Sequence, residues 1–164
     1  MTPLATDLLI LFHRDLRCLI REVGLFPDEA SLWRTVPGIT NSAGNLALHV
    51  AGNLQHFVGA VLGGTGYVRQ RDLEFARREG SRAMVIAELE ATLEAVEMGL
   101  RNLTPDPGAP YPVPVGGHQL PMGRFLMHLA VHLGFHLGQV GYLRRAITGA
   151  ATSAGGMAIV DLAP

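Results

Sequence analysis

Apolar residues recur at helical spacing through four long stretches of the chain. In the first, Leu4, Leu8, Leu11, Leu16, Leu19 and Val23 form one stripe, and Asp7, Arg14, Arg17 and Arg21 fall mostly off it. That period predicts a helix from about Thr2 to Val23, stopped by Gly24 and Pro27. A second begins near Asn41 or Ser42, both good N-cap residues, and stops at Gly63-Gly64. A third follows Ser81 and runs to about Leu103, ended by Thr104-Pro105, with Glu88, Glu90, Glu94 and Glu97 on its wet face. The fourth takes Pro121 into its first turn and runs to about Thr148, before Gly149. Between them, DEASLWRTVPG reads as a loop with a short turn and the segment from Thr65 to Gly80 as a polar loop. The stretch PDPGAPYPVPVGGHQLP reads as a Pro/Gly-rich loop or short hairpin. The tail from about residue 150 is small and Gly-rich and is expected to be partly mobile.

Four long helices with one long loop before the last predict an all-α four-helix bundle, a single domain over residues 1–164. No formal charge occurs from Thr35 to Val68 or from Phe125 to Leu143, so the second and fourth helices are expected to bury the most surface. Bundles build their sites from inward side chains on facing helices. The stretch from Phe125 to Leu143 approaches the length of a membrane span, but three His, a Gln and three Gly make insertion costly. No membrane partner is expected.

Composition narrows the chemistry. Hydrophobic residues make up 48% and charged residues 16%, which suits a packed core. A net charge of -1 argues against nucleic acid as partner. All 13 basic residues are Arg, which excludes a Schiff-base lysine, a P-loop lysine and a Ser-Lys dyad. Cys18 is the only cysteine, so a disulfide framework and a cysteine zinc knuckle are excluded; it is expected as a small core residue. The N-terminus MTPLATDLL has no basic segment of the signal-peptide kind, and a cytoplasmic location is the expectation.

Candidate chemistry lies in HLAVHLGFHLGQ. Histidines at i and i+4 share a helix face and can converge on one metal ion, so His128, His132 and His136 offer two such pairs. They do not offer three ligands to one ion, because His128 and His136 stand about 12 Å apart along the axis. The third ligand is expected from the second helix, from His49 or His56. Core histidines bonded to carbonyls are the competing explanation. Gly52 and Gly59 in the second helix, and Gly134, Gly138 and Gly141 in the fourth, each cost about 1 kcal/mol against Ala. Close helix approach or room for a ligand would offset that. The sequence HLGFH has Leu where a zincin carries its general-base Glu, and neither GxSxG nor GxGxxG occurs.

Three segments in this order, NLALHVAGNLQHF, RQRDLEF and HLAVHLGFHLGQVGYLRR, resemble the DinB/YfiT-like superfamily over most of the chain. The resemblance implies a four-helix bundle of up-down-down-up connectivity, usually a homodimer, holding one divalent metal through three histidines. Carried over, the ligands are His49, His132 and His136, with Leu137-Gly138-Gln139 after His136 fixing the register. His56 and His128 then fall outside the ligand set, filling core space, bonding a group behind the ligands or lining the pocket, and Asn45 and Gln139 are expected around the metal. Arg71 and Asp72 match a polar motif of one branch, RxREAEF-like, where Arg71 would meet an anionic ligand group or form a loop salt bridge. The role of His118 stays open. Related branches use mycothiol, bacillithiol or glutathione, with a metal such as Zn, Ni, Fe or Mn activating the low-molecular-weight thiol. The resemblance thus implies a metal-dependent S-transferase, or a related hydrolase or isomerase, acting on a small-molecule substrate. A non-catalytic metal-binding or stress-related bundle is the alternative.

Overall fold

The computed structural model describes residues 1–103, 106–155 and 159–162. Thr104-Pro105, expected to end the third long helix, and part of the tail expected to be mobile lie outside the described residues. The described residues form α1 (Pro3–Gly24), α2 (Glu29–Trp33), α3 (Ala43–Leu54), α4 (Val61–Gly63), α5 (Arg71–Ala76), α6 (Arg82–Arg101) and α7 (Met122–Thr148). A π-helical stretch, Gln55–Ala60, joins α3 to α4, and a 3₁₀ turn covers Ile159–Leu162. The described residues contain no strand.

Local chemistry sets the helix ends. The Thr2 hydroxyl accepts the Ala5 N–H, and Pro3 sits where a missing N–H costs nothing. Of the two candidate caps for α3, Ser42 is the one used. Its hydroxyl accepts the Asn45 N–H while the Asn45 side chain accepts the Ser42 N–H. Ser81 caps α6, and Gly149 ends α7 in the left-handed region at φ 73°.

The core is the seam between these helices. Leu8, Phe12, Leu16, Leu19 and Val23 of α1 pack on α6 and α7, and α3 packs on the same two helices from its own side. Burying one such side chain contributes about 1.5–3 kcal/mol. α3 is buried almost throughout, as its lack of charge predicts. α7 is not. It buries Leu126, Leu129, Leu133, Leu137 and Val140, but Met127, Val131, Phe135 and Tyr142 are 53–72% exposed. Its neighbours are α1, α3 and α2, and these four side chains remain exposed.

Two features differ from the sequence expectation. The second long helix widens into π geometry, and there α6 presses Gly99 against Val58, where any Cβ would overlap the Val58 carbonyl. α2 and α5 stand where loops were expected, because five or six residues are too few to show a helical period. The stretch from Asp106 to Pro121 has no helix. It doubles back through the isolated pairs Pro110–Pro121 and Val115–His118. No helix among the described residues is long and apolar enough to cross a membrane.

The tail is also anchored before residue 156. Glu22 and Arg144 form a buried ion pair, 2% and 3% exposed. Arg144 donates to the Thr152 carbonyl at 2.8 Å, and Glu22 accepts the Ala154 N–H at 2.7 Å. Cys18 is buried as expected, its Sγ 3.0 Å from the Gly155 carbonyl, and burial pushes its thiol up.

Candidate metal centre

The packing of α3 on α7 brings three imidazoles to one point. His132 and His136 flank the buried Leu133 and Leu137 on α7, one turn apart. His49, 8% exposed, faces them from α3. The Nε2 of His132 lies 3.2 Å from that of His49 and 3.1 Å from that of His136. All three ligand atoms lie within 4.8 Å of one another. Nitrogens at zinc-ligand distance on a tetrahedron are separated by about 3.3 Å, so this spacing suits one small cation.

Hydrogen bonding fixes the tautomers. Glu74 is an acceptor only, so its Oε2, 2.9 Å from His49 Nδ1, requires the proton on Nδ1. Arg69 Nη2 also approaches that Nδ1, at 3.2 Å, but a donor cannot bond to an N–H; Nη2 donates instead to Glu74 Oε2 at 2.9 Å, and Arg69 Nε donates to Oε1 at 2.7 Å. His136 Nδ1–H donates to Gln139 Oε1 at 2.7 Å. The Nε2 atoms of His49 and His136 are therefore bare lone pairs. His132 has one Nε2 and can offer at most one proton between them. At least one lone pair then faces nitrogen without a hydrogen, an arrangement that a central cation relieves. The donor set therefore fits a divalent metal.

Electrostatics favour the same state. Burial, then His136 and His49, push His132 down to about 4. Burial also lowers His136, against the opposing pull of Gln139. Both are neutral at pH 7, the form that ligates a metal. For Glu74, burial works upward, but the bonds from Arg69 and His49 outweigh it and hold the carboxyl below its usual range. The buried Glu74 thus stays ionised and orients His49, as carboxylates behind metal-ligating histidines do. Phe75 of α5 packs on the His49 ring at a centroid distance of 4.7 Å.

The other expected residues divide clearly. Asn45 does not touch the histidines; its Nδ2 donates to the Glu74 and Arg77 carbonyls, both at 2.8 Å, and so docks α5 on α3. Gln139 touches His136. His128 is exposed rather than in the core, its ring 6.1 Å from that of His132. His56 falls in the π stretch, outside the histidine cluster, and packs on Phe57. His118 is exposed in the Pro/Gly-rich segment. Arg71 is exposed, with its guanidinium over Phe75 at 5.2 Å. In RQRDLEF the residues that reach the centre are Arg69, Glu74 and Phe75, which sequence reasoning passed over. The signal was a carboxylate flanked by arginines close behind a histidine helix.

The glycines divide too. A Cβ at Gly52 would overlap Glu74 Oε1 and stand 3.3 Å from Tyr67 Oη; one at Gly59 would stand 2.8 Å from the Ala95 Cβ. At Gly138 nothing lies within 4 Å. Gly52 therefore makes room for the carboxylate. Gly52→Ala is expected to leave the fold intact, since Ala favours helix by about 1 kcal/mol. By turning Glu74 away from His49 it should weaken zinc binding about 10–100-fold. Thermal melts and zinc titration on the same protein read the two effects separately.

The histidines also predict a pH effect. Unfolded His132 titrates near 6.5 and folded His132 at about 4. Between those values the unfolded chain binds more protons, so stability of the metal-free protein falls as pH drops from 6.5 toward 4. His132→Gln should flatten that slope in melts at pH 7 and pH 5.

A sequence model of the family described as DinB superfamily matches residues 12–140. Among curated proteins and solved structures, nothing matches the chain.

Proposed function

The chain belongs to the DinB superfamily, and from that premise we propose that it is a divalent-metal-dependent enzyme centred on His49, His132 and His136. The observation that carries this reading is the convergence of three Nε2 atoms, at least two of them bare lone pairs, on one point. Three protein ligands are the catalytic rather than the structural arrangement, since they leave a coordination position open. A metal held there, such as zinc, nickel, iron or manganese, supplies acidity to a thiol or water at that position.

The chain's own residues do the rest. Glu74 keeps the His49 proton on Nδ1, and Arg69 keeps Glu74 ionised. Gln139 does for His136 what Glu74 does for His49, with a neutral acceptor. Asn45 fixes the backbone that carries Glu74. Thiol S-transfer is the reaction class favoured, with up-down-down-up connectivity as the expected bundle. The test is turnover of metal-loaded protein with mycothiol, bacillithiol or glutathione and an electrophilic acceptor. A rate well above that of the free thiol supports the reading. No such rate with any thiol in any metal form leaves a non-catalytic metal-binding bundle.

A homodimer is proposed with it. The exposed apolar stripe of α7, Met127, Val131 and Phe135, supports a surface covered by a second copy. Sedimentation at micromolar concentration should show a dimer that Val131→Glu converts to monomer. A wild-type monomer contradicts the dimer.

A further inference from the structure

A cavity of about 480 Å³ opens beside His136, on the side where Gln139 lies. Its formation follows from the loop between α2 and α3. Gly38, at φ 81°, lets the chain turn, with the Ile39 N–H bonded to the Val36 carbonyl at 3.0 Å. The turn lays Ile39, Thr40 and Asn41 opposite α7. Because Ser42 takes the cap of α3, Asn41 has no capping duty.

The walls define what fits. Val36, Ile39 and Leu46 face Tyr142, Leu143 and Ala146 across the cavity. The polar groups are those of Thr40, Asn41, Gln139 and His136, with the Tyr142 hydroxyl, and no lining residue carries a formal charge. Among the described residues, the Thr40 and Asn41 side chains and the Gln139 amide nitrogen have no hydrogen-bond partner. Arg145 lies over the Tyr142 ring at 4.4 Å but does not line the cavity, so an anion here would meet no cationic side chain in the wall. An apolar body with one or two neutral polar atoms meets both the walls and the free donors and acceptors. The volume falls within the range of about 300–1,000 Å³ typical of small-molecule sites.

His136 belongs to both places. Its Nε2 points to the histidine cluster, and its ring with Gln139 forms one side of the cavity. We propose that this cavity binds an uncharged, largely apolar organic co-substrate for the reaction at the histidine centre, with its polar end toward Gln139 and Thr40. The catalytic role in this statement rests on the proposed function; the ligand class rests on the cavity alone.

The experiment uses the full chain and two fluorescent probes. One is neutral, 6-propionyl-2-dimethylaminonaphthalene; the other, 1-anilinonaphthalene-8-sulfonate, is an anion with a similar apolar body. Ala146 is exposed at the cavity wall, so Ala146→Trp fills the space without disturbing the core. Ile39→Glu, at a residue 47% exposed, adds a charge instead. The neutral probe is expected to bind wild type and to lose about tenfold or more in affinity in each variant, with far-ultraviolet circular dichroism unchanged. Equal binding to wild type and both variants overturns the proposal. So does an anionic probe that binds as tightly as the neutral one and is expelled by the same substitutions. Zinc titration in parallel reads the histidine centre. Probe binding without zinc binding sinks the proposed function and keeps the ligand class; zinc binding without probe binding sinks this inference alone.

Discussion

Replacing His132 by alanine is expected to abolish zinc binding at micromolar metal. His132 is the middle ligand, with Nε2 3.1 and 3.2 Å from the other two, so its loss leaves His49 and His136 without the nitrogen that bridges them. Removing a group behind a ligand costs about 10–100-fold in affinity, and removing a ligand should exceed that. His49→Ala and His136→Ala should act in the same direction. His128→Ala and His56→Ala should stay within about twofold of wild type, since neither ring joins the cluster. Titration against a chromophoric chelator measures all five. The contrast between His132 and His128, one turn apart on the same helix, separates coordination from a general effect of losing an imidazole.

Arg144→Ala should cause the largest loss of stability. The Glu22–Arg144 pair is buried, and removing the guanidinium strands a carboxylate whose other bond is to the Ala154 N–H. Breaking such a pair costs about 3–5 kcal/mol. For a chain of this size that lowers the melting temperature by about 10 °C. It also frees the Thr152 carbonyl, so proteolysis within residues 150–155 should quicken. The double variant Glu22→Leu/Arg144→Met should recover much of the loss, because an apolar pair avoids the desolvation cost. Thermal melts of the two variants check both statements.

The long helices were legible because their evidence is local and repeated. Caps at Thr2, Ser42 and Ser81, and Gly149 at the end of α7, act through hydrogen bonds within a few residues. The spacing of His132 and His136 also belongs to one helix, so sequence reveals it directly. The partnership of His49 with Glu74 does not. It depends on α5 lying against α3, which Asn45 arranges through two backbone carbonyls. Period and propensity carry no trace of that contact. The same holds for Glu22 and Arg144, 122 residues apart and paired only once α1 meets α7. Lack of charge misled on α7: an uncharged face can be buried in the core or left outside, and Val131 and Phe135 are outside.

The most direct test of the histidine centre is an anomalous-difference map from crystals of the zinc-loaded protein. One peak is expected per chain, about 2.0–2.1 Å from the Nε2 atoms of His49, His132 and His136. A peak bound instead through His128 or His56, or no peak among these rings at full zinc loading, contradicts a three-histidine centre.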